Sequence, residues 1–490
     1  MEFPRPVRLK PAHPVLLLVL LLYVAGALLL WRTPFFWDSV SILSRPATFL
    51  YENRFSDFSF PRQMVSDNTP LSVALAGWWC VFGRNLPATH VFFMLFGIGV
   101  IWQVFRLCEK SSPSPRATPF IFLLAVSDTA LATQLLVPMF DSVLLFVFLL
   151  TLRSILDRRK RATVVYACLL AMLRSRGIML CGILGILHVL VGRRTATGKE
   201  TWRNLLDFVP AAAVSVFLLL FQIRHQDQVF GIGKDSPWTL AGAERMLGNT
   251  ASFARFMLEY GKACLWGTLV FLFFRYGKSR FRTASCDNLA VSCGLLLAFS
   301  LLVSIPFKNP FGPRYFLPFF VLFPLWTGQV TFSLLPFKRA RLLCLLLAAM
   351  LWSGHFRHYP DTTAKSWDTT LAHVPYYSLR KDLSAYLEEN GIENSEIRAC
   401  FPLEKPDYWT FLEGSKTEFS TMPHAPYALY GNLCNLPDPA SAGIDSTYVL
   451  LKRFEKGRVY LEIHERKEHA AARKKDYATA CGFDSSSERL

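Results

Sequence analysis

Up to residue 356 the chain reads as apolar runs divided by short polar connections; beyond it the runs stop. The runs are Pro14 to Trp31, Leu86 to Phe105, Thr118 to Val137, Met139 to Leu152, Thr163 to Leu173, Ile178 to Val191, Leu205 to Ile223, Lys262 to Phe274, Leu289 to Ile305, Tyr315 to Leu335 and Leu342 to Phe356. They predict about eleven membrane-crossing helices, several shorter than the usual span of about 20 residues. Pro70 to Gly83 is also apolar, but its length of about 14 residues suits a helix lying in the interface. Past residue 356 the pattern predicts a helix over Leu379 to Glu389 and strands over Glu396 to Phe401, Thr447 to Phe454 and Arg458 to Glu465. The expected fold class is therefore an all-α polytopic membrane domain, 1–356, with an outer loop 32–85 carrying interfacial helices, followed by a soluble α/β domain, 357–490.

Composition supports that class: 52% of the 490 residues are hydrophobic and 14% aromatic, with a mean hydropathy of +0.29. The net charge of +17 fits either nucleic-acid binding or a membrane charge bias, and its distribution selects the second. Basic residues crowd alternate connections: Arg5, Arg8 and Lys10; Arg106, Lys110 and Arg116; Arg158 to Arg161; Arg193, Arg194 and Lys199; Lys278, Arg280 and Arg282; Lys338, Arg339 and Arg341. These are expected to be cytoplasmic, with the amino terminus among them. The 32–85 loop, the Pro138 turn, the 224–261 stretch and the terminal domain then fall on the other side. Ala25-Gly26-Ala27 lies inside the first apolar run, so the first span is read as uncleaved.

Eight of the eleven cysteines lie in or beside spans and no CxxC pair occurs, so no zinc site is expected. Of Cys400, Cys434 and Cys481 in the terminal domain, one disulfide, Cys400 with Cys434, can form in an oxidising compartment. His355, His358 and Asp361 have a spacing compatible with a metal, but with no further ligand motif beside them an interfacial polar cluster is the plainer reading. Gly-rich phosphate loops are absent, so an activated donor is expected to arrive through the membrane.

Charged residues beside the apolar runs are the candidate chemistry. Asp38 follows the first span in Phe35-Phe36-Trp37-Asp38, and Asp141 follows a short turn in Pro138-Met139-Phe140-Asp141. Arg174 and Arg176 interrupt one apolar stretch, and Arg314 precedes Tyr315 in Gly312-Pro313-Arg314-Tyr315. A guanidinium there needs a partner, which a phosphate oxygen pair or one of the aspartates can supply. For both aspartates the plainer reading is a helix cap or ion-pair partner. Asp67 also reads as a cap before Pro70, and Asp128 as a packed polar contact or a groove residue. Tyr51, Trp78 and Trp79 could stack on a sugar, but an aromatic belt at the interface is the plainer reading.

In order, these features resemble the GT-C glycosyltransferases that use polyprenyl-phosphate sugars, particularly the bacterial branch related to protein O-mannosyltransferases and lipid A aminoarabinose transferase. The corresponding stretches are Trp37-Asp38-Ser39, Asp67-Asn68-Thr69-Pro70-Leu71, Phe140-Asp141-Ser142, Arg174-Ser175-Arg176-Gly177 and Gly312-Pro313-Arg314-Tyr315, so the resemblance spans roughly residues 14 to 335. Ser39 stands where relatives carry a second acid, Asn68-Thr69-Pro70 where His-Pro-Pro is usual, and Arg174 where Lys is usual.

The resemblance implies an integral-membrane transferase moving a sugar, with inversion, from a polyprenyl-phosphate donor to a glycan, lipid or protein acceptor at the outer face. It implies Asp38 as base, Asp141 as a second acid that orients the acceptor, shares the proton or holds an arginine, and Arg174, Arg176, Arg314, Tyr315 and Asp67 as substrate-binding residues. No cofactor is specified; a divalent cation is left open. The bacterial inner membrane is the implied location, with the terminal domain periplasmic. The rival reading is a transporter or flippase of a lipid-linked or small polar substrate, in which the same charges line a pathway.

Overall fold

A computed structural model of the chain describes residues 12–61, 69–193, 204–226, 239–284, 287–308, 311–356, 367–420, 422, 424–434, 439–440 and 443–480. The chain forms two compact units: Met1–Thr33, Ser41–Phe356 and Asp368–Thr370 make one; Pro34–Val40, Arg357–Trp367 and Leu371–Leu490 make the other.

The first unit is helical: α1 His13–Leu29, α2 Arg45–Glu52, α3 Thr69–Phe82, α4 Leu86–Ser111, α5 Thr118–Val126, α6 Thr129–Leu136, α7 Phe140–Leu156, α8 Lys160–Ala171, α9 Arg174–Arg193, α10 Val209–Gln226, α11 Ala243–Leu258, α12 Lys262–Ala284, α13 Asp287–Ser304, α14 Leu317–Leu334 and α15 Phe337–Trp352. Its surface is inverted relative to a water-soluble bundle. Leu17, Leu18, Leu21 and Leu22 of α1, Phe217 and Leu220 of α10, and Phe271 and Phe274 of α12 all face outward. An apolar surface of that extent suits hydrocarbon rather than water. Helix α14 is the most enclosed of the long apolar helices and packs against α5, α12, α13 and α15.

Among the described residues five helices are long and apolar enough to span, or seven if each of two bent pairs counts once, against the eleven expected. Local chemistry accounts for much of the difference. Thr118 to Val137 was expected to be one span, but α5 and α6 meet at 72°. Asp128 causes the break: its backbone is extended and its carboxylate caps α6, accepting from the amides of Ala130 at 3.0 Å and Leu131 at 3.1 Å. The second pair, α11 and α12, bends by 77° through Tyr260 and Gly261, both left-handed with φ of 52° and 80°. A Cβ on Gly261 would lie 2.7 Å from the Met350 carbonyl carbon, so only glycine fits this approach to α15. Helix α8 has only 12 residues, because the chain leaves it just before Arg174.

The second unit has four strands, β1 Ile397–Ala399, β2 Tyr427–Gly431, β3 Tyr448–Lys456 and β4 Val459–Arg466, in the order β1-β2-β4-β3. The β1–β2 pair is parallel and the other two are antiparallel. Helix α16, Pro375–Glu389, packs on β3 and β4, and α17, Lys467–Ala480, follows β4. Three strands and α16 coincide with the sequence pattern; β2, five residues long and buried throughout, shows no alternation to read. Cys400 and Cys434 form the expected disulfide, with Cα atoms 6.2 Å apart, the kind of bond that persists in an oxidising compartment.

Candidate active site

The first turn of α7 carries Asp141, whose carboxylate at a helix start is favoured by the helix dipole. Two guanidinium groups meet it. Arg176, from the first turn of α9, reaches Asp141 Oδ1 with Nη1 at 2.6 Å. Arg314, in the 3₁₀ turn Pro313–Phe316 that leads into α14, places Nε 3.8 Å from Asp141 Oδ2 and 3.0 Å from Asp368 Oδ2. The side chains of Asp141, Arg314 and Asp368 are each at most 4% exposed, and that of Arg176 is 15%. Aromatic rings close the cluster: the Arg176 guanidinium lies 4.0 Å from the Tyr315 ring centre and 5.4 Å from that of Phe140. Asp368 is itself held by its carbonyl, which accepts from Gln134 Nε2 at 2.7 Å.

Two guanidinium and two carboxylate groups in a low-dielectric setting make a cluster of zero net charge. Such an arrangement is stable only while complete, since one charge removed leaves another buried and uncompensated. Of the expected site residues the fold therefore brings together Asp141, Arg176, Arg314 and Tyr315. Of the roles left open for Asp141, holding arginines is the one its contacts display. A divalent ion does not fit this cluster, because its two carboxylates are already balanced by two guanidinium groups. Among the described residues no group of three or more His, Cys, Asp or Glu side chains could hold a metal.

Asp38 belongs to the other unit. It is half-buried and follows Trp37, whose φ of 58° is a strained value for so bulky a residue. The segment around it is pinned within that unit. The Phe35 amide donates to the Thr410 carbonyl at 3.0 Å, the Phe36 ring stacks on His373 at 4.4 Å, and Trp37 meets Phe401 edge-on at 5.0 Å. Arg174 is the first residue of α9, with its side chain outside the described set. Asp67, His358 and Asp361 lie outside the described residues.

Sequence reasoning passed over three participants. Asp368 and Gln134 complete the arginine cluster, and Lys262 forms a second buried pair with Asp128, Nζ to Oδ2 at 3.4 Å. Lys262 also lies 4.3 Å from the Phe320 ring centre. A lysine opening an apolar run immediately after Gly261 was the available signal. This pair joins the two helix breaks, one at Asp128 and the other just before Lys262.

An apolar outer face around buried, paired charges defines a polytopic membrane protein with a polar interior site. No family model and no curated protein matches the sequence. Two solved structures are similar to it, both of ArnT from Cupriavidus metallidurans. The apo crystal structure matches with a TM-score of 0.45 and 15% identity, over 76% of this chain and 70% of that one. The crystal structure bound to undecaprenyl phosphate matches with a TM-score of 0.49 and 15% identity, over 76% and 73%.

Proposed function

We propose that the protein is an integral-membrane glycosyltransferase that moves a sugar from a polyprenyl-phosphate donor to a hydroxyl-bearing acceptor at the outer membrane face, inverting the anomeric centre. The supporting observation is the Arg176–Asp141–Arg314–Asp368 cluster, buried beside Tyr315 in an otherwise apolar helical unit. Arginine is costly in such surroundings and suits recognition of a phosphate.

In this reading the acceptor oxygen attacks the sugar carbon while its proton passes to a carboxylate, assigned to Asp38. The bond from that carbon to the phosphate oxygen breaks, and its electron pair leaves with the polyprenyl phosphate. Arg314 and Arg176 stabilise the charge developing there; a dry, preorganised site makes such stabilisation strongest. Asp141 keeps both guanidinium groups in place. Arg174, Tyr315 and Asp67 belong to the donor and acceptor contacts, and the bacterial inner membrane, with the terminal unit periplasmic, is the assigned location.

The test is purified protein in liposomes with polyprenyl-phosphate sugars. Transfer to an acceptor, lost in Asp38→Asn with membrane insertion intact, supports the reading; near-normal turnover of that variant removes Asp38 from the mechanism. A transporter is the second reading, favoured by one observation: two bent helix pairs joined at their breaks by the buried Asp128–Lys262 pair, as discontinuous helices are in many carriers. Movement of a lipid-linked substrate across the bilayer without bond cleavage would select it.

A further inference from the structure

Asp368 lies beyond the last membrane helix, yet residues Asp368–Thr370 are grouped with the membrane unit while the chain on either side of them belongs to the terminal unit. All three are buried, at 3%, 1% and 0% exposed. Their neighbours are fixed in the terminal unit: Trp367 Nε1 donates to the Asn432 carbonyl at 3.0 Å, and His373 stacks on Phe36. The carboxylate of Asp368 lies closer to Arg314 Nε than that of Asp141, 3.0 Å against 3.8 Å, and Asp141 at 2.6 Å is committed to Arg176.

We propose that Asp368 is a positioning residue for Arg314: it orients the guanidinium toward the donor phosphate and takes it back as counter-ion when the product polyprenyl phosphate departs. The proposal rests on the glycosyltransferase reading and extends it, because it makes a segment beyond the helical bundle part of the reaction centre. Two anions competing for one guanidinium imply a trade-off. Loss of the Asp368 charge should misorient Arg314 and slow transfer, yet strengthen its hold on the phosphate product.

The experiment compares the full-length chain with Asp368→Asn and Asp368→Glu in liposomes, reading turnover, KM for the donor, inhibition by added polyprenyl phosphate, and folded fraction by thermal melting. Expected for Asp368→Asn is a kcat lower by about tenfold with inhibition by polyprenyl phosphate setting in at a several-fold lower concentration. Asp368→Glu, which keeps the charge one methylene further out, should fold and restore part of both. A purely structural role would reduce the folded fraction and leave kcat and the inhibition constant per folded molecule unchanged; that result overturns the inference while leaving the reading standing. An unmodified protein that neither transfers sugar from nor binds polyprenyl phosphate overturns the reading and the inference together.

Discussion

Each unit encloses an arginine with its side chain at most 3% exposed, and the two are partnered differently. In the terminal unit Arg380 donates to the carbonyls of Leu403 at 2.9 Å and Lys405 at 3.2 Å, and pairs with Asp407 at 3.1 Å. Asp407 is satisfied in turn by Ser384 at 2.5 Å. Burial pulls the Arg380 pKa down, but the charges of Asp407 and Tyr376 and the hydrogen bond to Asp407 together outweigh it and the net shift is upward, so the cation is secure. This arginine staples the loop from Leu403 to Asp407 onto α16. Arg314 pairs with two side-chain carboxylates, those of Asp368 and Asp141. Backbone carbonyls cannot be exchanged without unfolding; carboxylates can give way to another anion. Equally buried, the two arginines are therefore proposed to differ in role: Arg380 holds the fold and Arg314 meets the donor phosphate.

Removing each arginine should separate these roles. Arg314→Ala is expected to lower kcat by about 10²- to 10³-fold, the usual cost of a lost oxyanion-stabilising donor. Arg380→Ala should instead destabilise the fold by about 3 to 5 kcal/mol, through loss of its three charge-assisted bonds to Leu403, Lys405 and Asp407 at about 1.5 kcal/mol each, with turnover per folded molecule unchanged. Steady-state kinetics normalised by thermal melting measures both. Equal losses of turnover from the two variants would erase the distinction. Next in size is Asp141→Asn, which leaves Arg176 and Arg314 facing each other with one fewer anion; its melting temperature should fall, and Asp141→Glu should recover part of the loss.

The same contrast explains what the sequence could disclose. Apolar runs and basic connections marked the membrane class, and strand alternation marked β1, β3 and β4, because those signals are local. Asp141, Arg176 and Arg314 were legible as charges in apolar surroundings, where any charge needs a reason. The fourth member was not: Asp368 stands in a polar stretch where an aspartate attracts no notice, and only folding carries it to an arginine 54 positions earlier. Asp128 was noticed, but its power to break a span was not, since capping competes with helix continuation on a balance of only about 1 kcal/mol. The arrangement of helices followed local pattern; the pairing of charges depended on tertiary structure.

A smaller effect concerns the disulfide, which anchors the terminal unit by a covalent bond where the membrane unit relies on packing. Cys434→Ser opens a link spanning 34 positions, for which chain entropy gives roughly 3 to 4 kcal/mol, with measured values commonly below such figures. Hydrogen exchange should quicken in β1 and β2, on which the two cysteines border, while the helices of the membrane unit keep their protection. Equal loosening of both units would show that the terminal unit has no separate stability.

The smallest expected effect is a pH dependence confined to the β3–β4 hairpin, and its sign follows from the charges. Glu462 lies across from Arg453 in the strand register, bonds to His464 at 3.2 Å and pairs with Arg453 at 3.1 Å. The hydrogen bond from His464, followed by the charges of His464 and Arg453, holds the Glu462 carboxyl below its ordinary value despite partial burial. A carboxyl lowered in the folded state contributes its full stabilisation above the unfolded value of about 4.3 and loses it as pH falls through the folded value. A cross-strand charge pair contributes about 0.2 to 1 kcal/mol. Exchange protection of β3 and β4 amides should therefore be higher in the unmodified chain than in Glu462→Gln at pH 6, and the two should converge as pH drops below about 4. A difference that persisted at low pH would assign the stabilisation to packing of the side chain rather than to its charge.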